Sequence, residues 1–326
     1  MRQWIVSWAI ASVAAMGAVQ AQPVDPNLVE SVRDSKAHEK PSSDAKTVFE
    51  APAGTDMVWI DKAESNGFYR VIRRDVGPQG WIAKDDVKLA HAAKSIDYPV
   101  CAEALNACPI RGCAKPDTAE ARDNTIKRTP PGPGPARRLS FEDIMALQQQ
   151  ADQHIGQGPD DLSKPQRQKL EQLRLEDKPI AEGDRVVMLG YVAKGSDGLH
   201  VNNAGESVNC MLKKPADNDF HIPLVAAKDD SEFRAIVVEM IPQDRPDNWT
   251  IDALKAVQAS GAQVRVEGAL SYDKVHFVND DPDHPLKEEP DRRSLWEIHP
   301  ITSFRVCAKD SCDVDDENDW KELGAK

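Results

Sequence analysis

The sequence has 326 residues, with 41 Lys and Arg against 54 Asp and Glu, and therefore a net charge of −13. This surplus of negative charge repels phosphate backbones and excludes bulk nucleic-acid binding by the chain as a whole. Hydrophobic residues make up 40% of the chain, and its 23 prolines and 18 glycines predict two small domains with linkers rather than one large core.

The first 21 residues, MRQWIVSWAIASVAAMGAVQA, have the features of an export signal. Arg2 precedes an apolar run from Trp4 to Val19, and a small-residue cleavage site makes Gln22 the expected mature start. A membrane anchor is the alternative, but this run is shorter than the roughly 20 residues that span a bilayer. The sequence therefore predicts a periplasmic or secreted protein that does not span the membrane after cleavage.

The even number of cysteines indicates disulfide bonds in an exported chain. They are Cys101, Cys108, Cys113, Cys210, Cys307 and Cys312. Cys307 and Cys312 enclose a four-residue loop and are the best pair, and one further bridge is expected among the first three cysteines. Zinc binding is the alternative, although no CxxC spacing is present and the exported setting argues against it.

The composition of the N-terminal part changes near residue 45 from a polar segment to short β-type runs. Residues 22–44 are polar, contain Pro and Ser and lack periodicity, which predicts a tether. Over 45–90, short runs of β-branched and aromatic residues alternate with Gly- or Asn-containing turns, which predicts a small barrel.

A stretch of this predicted barrel is similar to a known family. The segment GFYRVIRRDVGPQGWIAKDDVKL, with Gly80-Trp81-Ile82 after a turn, resembles the second half of a bacterial SH3-like (SH3b) domain. The resemblance implies binding of a peptide or a cell-wall component, with Trp59, Tyr69 and Trp81 as candidate residues. A purely structural role for these aromatic side chains is the alternative.

Residues 91–182 are predicted to form a Cys- and Pro-rich, partly helical connector. A helix is expected after Asp117, and the segment TPPGPGPARR then interrupts regular structure. Ser140 with Asp143 three residues later predicts the start of an amphipathic helix. A more polar helix is expected in SKPQRQKLEQLRLED, and these last two helices are expected to pack on the final domain.

From residue 183 to 308 the pattern returns to β. Seven strand candidates occur, namely DRVVMLGYVAKG, LHVNN, VNCMLK, DFHIPLV, RAIVVEMI, QVRVEGALSYD and LWEIHPITSFRV. A helix is predicted between Thr250, as its N-cap, and Gly261. These elements predict a mainly β chain that ends in an OB-like barrel with one helix, with a β-sandwich as the alternative. Residues 309–326 are expected to form an acidic tail.

Two strands of this domain carry an acid-x-His triplet. Strand alternation predicts that Glu297 and His299 share one face, and that Asp219 and His221 do the same upstream. The opposite face of the last strand would supply Trp296, Ile298, Phe304 and Val306 to the core. Pro300 lacks an N–H, so its strand must bulge there or lie at a sheet edge.

If the two triplets were neighbours, their imidazoles and carboxylates would suit zinc or another divalent ion. The metal-ligand candidates are Asp219, His221, Glu297 and His299. Further site candidates are Glu239, Asp273, His276 and Arg293, the last as a contact for an anionic substrate. An ordinary polar face on a barrel is the alternative.

The C-terminal half resembles an uncharacterised bacterial family with a WEIHP motif. The matching pieces are Arg111-Gly112-Cys113, Asn124-Thr125-Ile126-Lys127-Arg128, DFHIPL, Val237-Val238-Glu239 with Pro242, Asn248-Trp249-Thr250, VRVEGALSYD with His276, and SLWEIHPI. They extend from near Cys108 to Cys307. The resemblance implies an OB-like domain in an exported or envelope setting and brings no established activity.

These observations favour an exported binding or scaffold protein without a cofactor, whose ligand is a peptide, a cell-wall component or a protein partner. The alternative is a metal-assisted hydrolase, for instance of phosphodiesters, that uses the Asp219/His221 and Glu297/His299 pairs. A third hypothesis is an envelope accessory with a protein partner and no small ligand. The sequence contains no GxSxG, HExxH, P-loop or dinucleotide-binding motif.

Overall fold

The computed structural model describes residues 24–73, 79–91, 99–155, 162–195, 198–201, 205–274, 276–279, 282–283 and 292–325. The expected export signal at 1–21 lies outside these residues. Within them the chain is mainly β, as the sequence predicts, with an N-terminal sheet and a closed five-stranded barrel. No helix in this part of the chain has both the length and the apolarity that a membrane span needs.

Seven strands form the N-terminal sheet. They are β1 (Val24–Ser31), β2 (Ser35–His38), β3 (Thr47–Ala51), β4 (Asp56–Ser65), β5 (Phe68–Arg73), β6 (Gly80–Ala83) and β7 (Val87–His91). Their order in the sheet is β3-β2-β6-β5-β4-β1-β7. One face buries a small cluster that includes Val29, Met57, Val71 and Ile82.

The prediction of a tether at 22–44 is wrong for the residues that the structure describes there. Strand β1 pairs with β4 on one side and with β7 on the other, and β2 pairs with β3 and β6. The physical reason is burial: Leu28 and Val29 are 4% and 0% exposed and enter two different apolar clusters.

In the described part of the connector there are three helices and three short strands. They are α1 (Ala119–Lys127), β8 (Arg137–Arg138), α2 (Phe141–Ile155), α3 (Lys164–Leu170), β9 (Arg174–Leu175) and β10 (Lys178–Pro179). The predicted start of α2 is confirmed, because the Asp143 backbone N–H donates to Ser140 Oγ at 3.1 Å and the Ser140 N–H donates back to the Asp143 carboxylate.

The last two helices belong to the core of the C-terminal domain. Ile144 and Leu147 of α2 and Leu170 of α3 lie in the same apolar cluster as the barrel strands. The boundary expected at 182/183 therefore does not separate two cores, because that cluster begins at Leu139. The expectation that these helices pack on the final domain is confirmed.

The remaining elements form the barrel and its edges. They are β11 (Arg185–Val192), β12 (His200–Val201), β13 (Phe220–Val225), β14 (Ile236–Met240), α4 (Ile251–Ser260), β15 (Gln263–Tyr272), β16 (Trp296–Cys307) and β17 (Trp320–Glu322). The order is β12-β13-β14-β16-β15-β11-β8, and the pairing of β13 with β11 closes the barrel.

Two sequence predictions about this region have clear outcomes. Helix α4 is capped as predicted, since the Thr250 side chain accepts from the Ala253 N–H and Gly261 ends the helix with a φ of 62°. The expected acidic tail at 309–326 instead contributes β17, which pairs with β16. Trp320 and Leu323 are 6% and 0% exposed, so apolar burial holds this segment on the barrel.

Strand β16 follows the predicted alternation. Trp296, Ile298 and Phe304 are fully buried in the core, whereas Val306 is half-buried at its edge. The register with β15 shifts on both sides of Gly268, which is opposite Ile301 and so adjacent to Pro300, and the predicted bulge is therefore present. The edge alternative is wrong, because β16 pairs with β15 on one side and β14 on the other.

Three disulfides join all the cysteines, so no thiolate is left for zinc among them. The predicted Cys307–Cys312 bridge is confirmed, and Cys101–Cys113 is the bridge expected among the first three. The Cys108–Cys210 bridge had no local signal, because its cysteines are 102 residues apart. It ties the connector to the loop that precedes β13.

Candidate metal centre

Three adjacent barrel strands bring the acid-x-His triplets together. Strand β14 lies between β13 and β16, with His221 opposite Glu239 and Val238 opposite Ile298. The sequence hypothesis required the two triplet strands to be neighbours. They are not, because β14 lies between them. Their side chains converge across β14, and Glu239 on that middle strand contacts both imidazoles.

His299 lies at the centre of this cluster and is 1% exposed. Its Nε2 is 3.4 Å from Asp219 Oδ2, and its Nδ1 is 3.4 Å from Glu239 Oε2 and 3.6 Å from Glu297 Oε2. Neither ring nitrogen makes a hydrogen bond of acceptable geometry. Buried polar groups nearly always have a partner, so this imidazole is a functional candidate.

Asp219, Glu239 and His299 offer one ligand atom each, all within 4.8 Å of one another, and all three residues are buried. Ligand atoms about 2.1 Å from one ion lie about 3.0–4.2 Å apart, so a small contraction would bring these groups onto a single metal. One nitrogen of a ligating histidine usually binds the metal while the other donates to a carboxylate. Glu297 lies where it can accept that hydrogen bond.

His221 lies beside this group. Its Nε2 is 3.4 Å from Glu239 Oε1 and 3.7 Å from Glu206 Oε1. Its ring stacks on that of His200, with centroids 4.6 Å apart and planes at 5°. The buried Nδ1 of His221 has no hydrogen-bond partner.

These groups open into a cavity of about 200 Å³ between the barrel and α1. The lining residues are Glu120, Asp123, Asn124, Lys127, Glu206, Ser207, Val208, Asp219, His221, Glu239, Asp273, His276 and His299. The helix is fastened there by a hydrogen bond from Asn124 Nδ2 to Ser207 Oγ of 3.0 Å. Sequence reasoning missed the α1 residues, although the resemblance had included the phrase Asn124–Arg128.

Asp273 is the centre of a second charged group in the cavity wall. Its carboxylate lies 2.6 Å from His276 Nδ1, 3.4 Å from Lys127 Nζ and 3.3 Å from Arg292 Nη1. The predicted candidates Asp273 and His276 are therefore paired with each other. Both line the same cavity as Asp219, Glu239 and His299, which we call the triad.

The arginine candidate needs correction. Arg293 was expected to contact an anionic substrate, but its guanidinium donates to the Asn279 carbonyl, and it is not a cavity-lining residue. The arginine that faces the acidic groups is Arg292, which is 2.6 Å from Glu297. Strand alternation could not indicate this, because both arginines precede β16.

Burial and neighbouring charges change the acidity of the wall residues. Burial alone would raise the pKa of Asp273, but His276, Lys127 and Arg292 outweigh it and hold that pKa well below its usual range. Burial likewise opposes charge on Lys127, but Asp273 and Asp123 raise its pKa well above the usual value. Burial and the neighbouring His200 lower the pKa of His221 to about 3, so its imidazole is neutral.

The triad stabilises positive charge. Although burial by itself lowers the pKa of His299, the nearby carboxylates of Glu239, Asp219 and Glu297 raise it well above its ordinary value. Burial raises the pKa of Glu239 well above its usual range, with a further contribution from Glu297. Both directions favour added positive charge among Asp219, Glu239 and His299, which a bound cation would also supply.

The aromatic candidates of the N-terminal sheet lie elsewhere. Trp59 stacks on Tyr69 with centroids 4.0 Å apart, and both side chains are half-buried. The Trp59 Nε1–H donates to the Ala63 carbonyl at 2.8 Å. Trp81 is 6% exposed, which leaves the Trp59–Tyr69 stack as the part of this set that can meet a ligand.

Comparison with known proteins gives little further information. No family model matches the chain, and no curated protein matches it. A solved structure described as "Structure of NlpC2 from Trichomonas vaginalis" is similar at 13% identity, over 68% of this chain and 69% of that chain, with a TM-score of 0.18. A score this low carries no argument about fold or activity.

Proposed function

We propose that this chain is an exported binding protein whose functional centre holds a divalent metal ion at Asp219, Glu239 and His299. The observation that carries the proposal is the fully buried imidazole of His299, which lies 3.4 Å from a carboxylate oxygen of Asp219 and 3.4 Å from one of Glu239. Neither of its nitrogens has a hydrogen bond of acceptable geometry. A metal ion would give these groups a common partner.

The charge of the cavity supports a cation rather than an anion. The described lining residues include one lysine, Lys127, and six carboxylate residues, Glu120, Asp123, Glu206, Asp219, Glu239 and Asp273. Buried carboxylates cost free energy unless they are paired or coordinate a metal. One imidazole and two carboxylates form a mixed donor set that suits zinc, manganese or iron.

The exported setting is supported by the three disulfides, which persist in oxidising compartments. Together with the N-terminal pattern of the sequence, they support our proposal that the protein is periplasmic or secreted.

Elemental analysis of mature protein purified without chelator tests the metal proposal. We expect close to one equivalent of a divalent ion, and its loss in His299→Gln with the circular dichroism spectrum retained. His154→Gln is the matched control, because His154 is exposed on α2 and should retain the metal. Wild-type protein that stays metal-free after incubation with zinc, manganese and iron would contradict the proposal.

Metal-assisted hydrolysis is a second candidate, favoured by the open volume beside the triad. Three protein ligands leave coordination positions for water, and a cavity of about 200 Å³ leaves space for a small substrate group. Bis-para-nitrophenyl phosphate is a suitable probe. Metal-loaded protein that does not hydrolyse it would leave the binding function alone.

For the N-terminal sheet we propose weak binding of a peptide or cell-wall component at the Trp59–Tyr69 stack. The support is the half-buried position of both rings and the resemblance to SH3-like domains. Co-sedimentation with purified peptidoglycan should decrease in Tyr69→Ala and stay unchanged in the control Phe49→Leu, on a different strand. Equal sedimentation of wild type and Tyr69→Ala would rule this surface out.

A further inference from the structure

Glu239 faces two imidazoles with its two carboxylate oxygens. Oε1 is 3.4 Å from His221 Nε2, and Oε2 is 3.4 Å from His299 Nδ1. The side chain is 4% exposed and is held on the middle strand β14, between the strands that carry the two histidines. Glu239 therefore lies between the two histidines, and one of its oxygens is within 4.8 Å of the ligand atoms of Asp219 and His299, which would let the carboxylate bridge two ions.

The His221 side of this bridge has its own set of donors. His221 Nε2 lies 3.4 Å from Glu239 and 3.7 Å from Glu206. Two ligands about 2.1 Å from one ion at a tetrahedral angle lie about 3.4 Å apart, so these distances are close to those of neighbouring ligands. All three side chains line the cavity.

The orientation of His221 supports a ligand role independently of the acidic groups. Its ring is stacked parallel to His200 and its edge, with Nε2, is directed at both carboxylates. The side chain is 14% exposed and lines the cavity. The buried nitrogens of His299, which make no hydrogen bond of acceptable geometry, lie on the other side of the same carboxylate.

We propose that the cavity holds two divalent ions, the first at Asp219 and His299 and the second between His221 and Glu206, with Glu239 as the bridging ligand. This inference rests on the proposed function, which requires only the first ion. A shared carboxylate places two ions about 3.5–4 Å apart, the spacing of two-metal sites that bind phosphate esters. The substrate class we infer for the cavity is therefore a small phosphate ester that both ions contact.

The experiment uses the full mature protein loaded with manganese. Equilibrium dialysis should give two equivalents, and electron paramagnetic resonance should show the signal of a spin-coupled pair. Glu206→Gln and His221→Gln should each reduce binding to one equivalent and replace the coupled signal by that of an isolated ion. His154→Gln, on the exposed face of α2, should keep two equivalents and the coupling.

The outcomes separate the two claims. One equivalent with an isolated-ion signal in wild type would overturn the second ion and leave the proposed function standing, whereas no bound manganese, zinc or iron would overturn both. Two equivalents without coupling, or coupling that survives Glu206→Gln and His221→Gln, would overturn the assigned position. Glu206→Gln keeps the shape of a side chain that is 21% exposed, so it tests the site even if His221→Gln fails to fold.

Discussion

Arg292 Nη1 lies 2.6 Å from Glu297 Oε1, and both side chains are buried behind the candidate metal centre. The same nitrogen is 3.3 Å from Asp273 Oδ2, so one guanidinium pairs with two buried carboxylates. Glu297 is thereby held on the side of His299 where it can accept a hydrogen bond. Arg292 thus links Asp273, in the cavity wall, to Glu297, which lies beside His299.

Arg292→Met should lower the free energy of unfolding by roughly 3–5 kcal/mol, because it leaves buried carboxylates without their cation. Urea unfolding measures this. Arg33→Met is the matched control, since the Arg33–Asp86 pair is exposed and should contribute less than about 1 kcal/mol. A loss for Arg292→Met as small as that of the control would show that the buried pair is not structurally important.

Gly268→Ala should destabilise the barrel severely. A Cβ at this position would lie 2.2 Å from the Pro300 carbonyl oxygen and 2.6 Å from Ile298 Cγ2, within the bulge that places His299. We expect a loss of more than about 3 kcal/mol or failure to fold, from overpacking against backbone. Gly132→Ala is the control, because nothing lies within 4 Å of its Cβ. Equal stability of both variants in thermal unfolding would contradict the close contact.

The Cys108–Cys210 bridge should stabilise the fold and close the cavity. Its cysteines are 102 residues apart, and chain entropy assigns such a loop about 4–5 kcal/mol, whereas the Cys307–Cys312 loop, with a separation of 5, gives about 2 kcal/mol. Cys108→Ser/Cys210→Ser should also weaken metal binding, since the segment that precedes α1 loses its covalent tie to the 207–210 turn. Unchanged metal affinity would show that α1 stays in place without the bridge; Cys307→Ser/Cys312→Ser is the control.

Phe277 couples the N-terminal sheet to the cavity wall. It is 7% exposed within an apolar cluster of that sheet, and the neighbouring Val278 carbonyl accepts from Gln79 Nε2 at 3.0 Å. Phe277→Ala should lower the free energy of unfolding by about 3 kcal/mol. It should also weaken metal binding, because the adjacent His276 lines the cavity. Leu89→Ala, at a side chain that is 52% exposed, should change stability by less than about 0.5 kcal/mol. If Phe277→Ala bound metal as tightly as wild type, contact with the N-terminal sheet would not influence the candidate metal centre.

His221 should make the metal-free protein sensitive to acid. Its folded-state pKa is about 3, whereas an unfolded histidine has a pKa of about 6.5, so between these values the unfolded chain binds more protons. Stability should therefore be retained above pH 6.5 and fall as the pH decreases towards 3, by as much as about 1.4 kcal/mol per pH unit. In urea unfolding with chelator, His221→Gln should show a shallower fall; parallel profiles would contradict the assignment.

Local patterns carried much of the fold. Period-2 alternation predicted the buried faces of β13 and β16, and the caps at Ser140 and Thr250 predicted two helices, because these features depend on residues within one turn or strand. The prediction of a tether at 22–44 was wrong because the burial of Leu28 and Val29 depends on strands farther along the chain, which a local pattern does not reveal.

The sequence by itself determined that Asp219 with His221, and Glu297 with His299, would each share a strand face. Only the tertiary structure decided that β14 lies between those strands and places Glu239 against both imidazoles. It also decided that α1, which contacts the 207–210 turn through the hydrogen bond from Asn124 to Ser207, forms the opposite wall. Strand order and long-range bridges join residues that are distant along the chain, and such contacts leave no periodic signal in the local sequence.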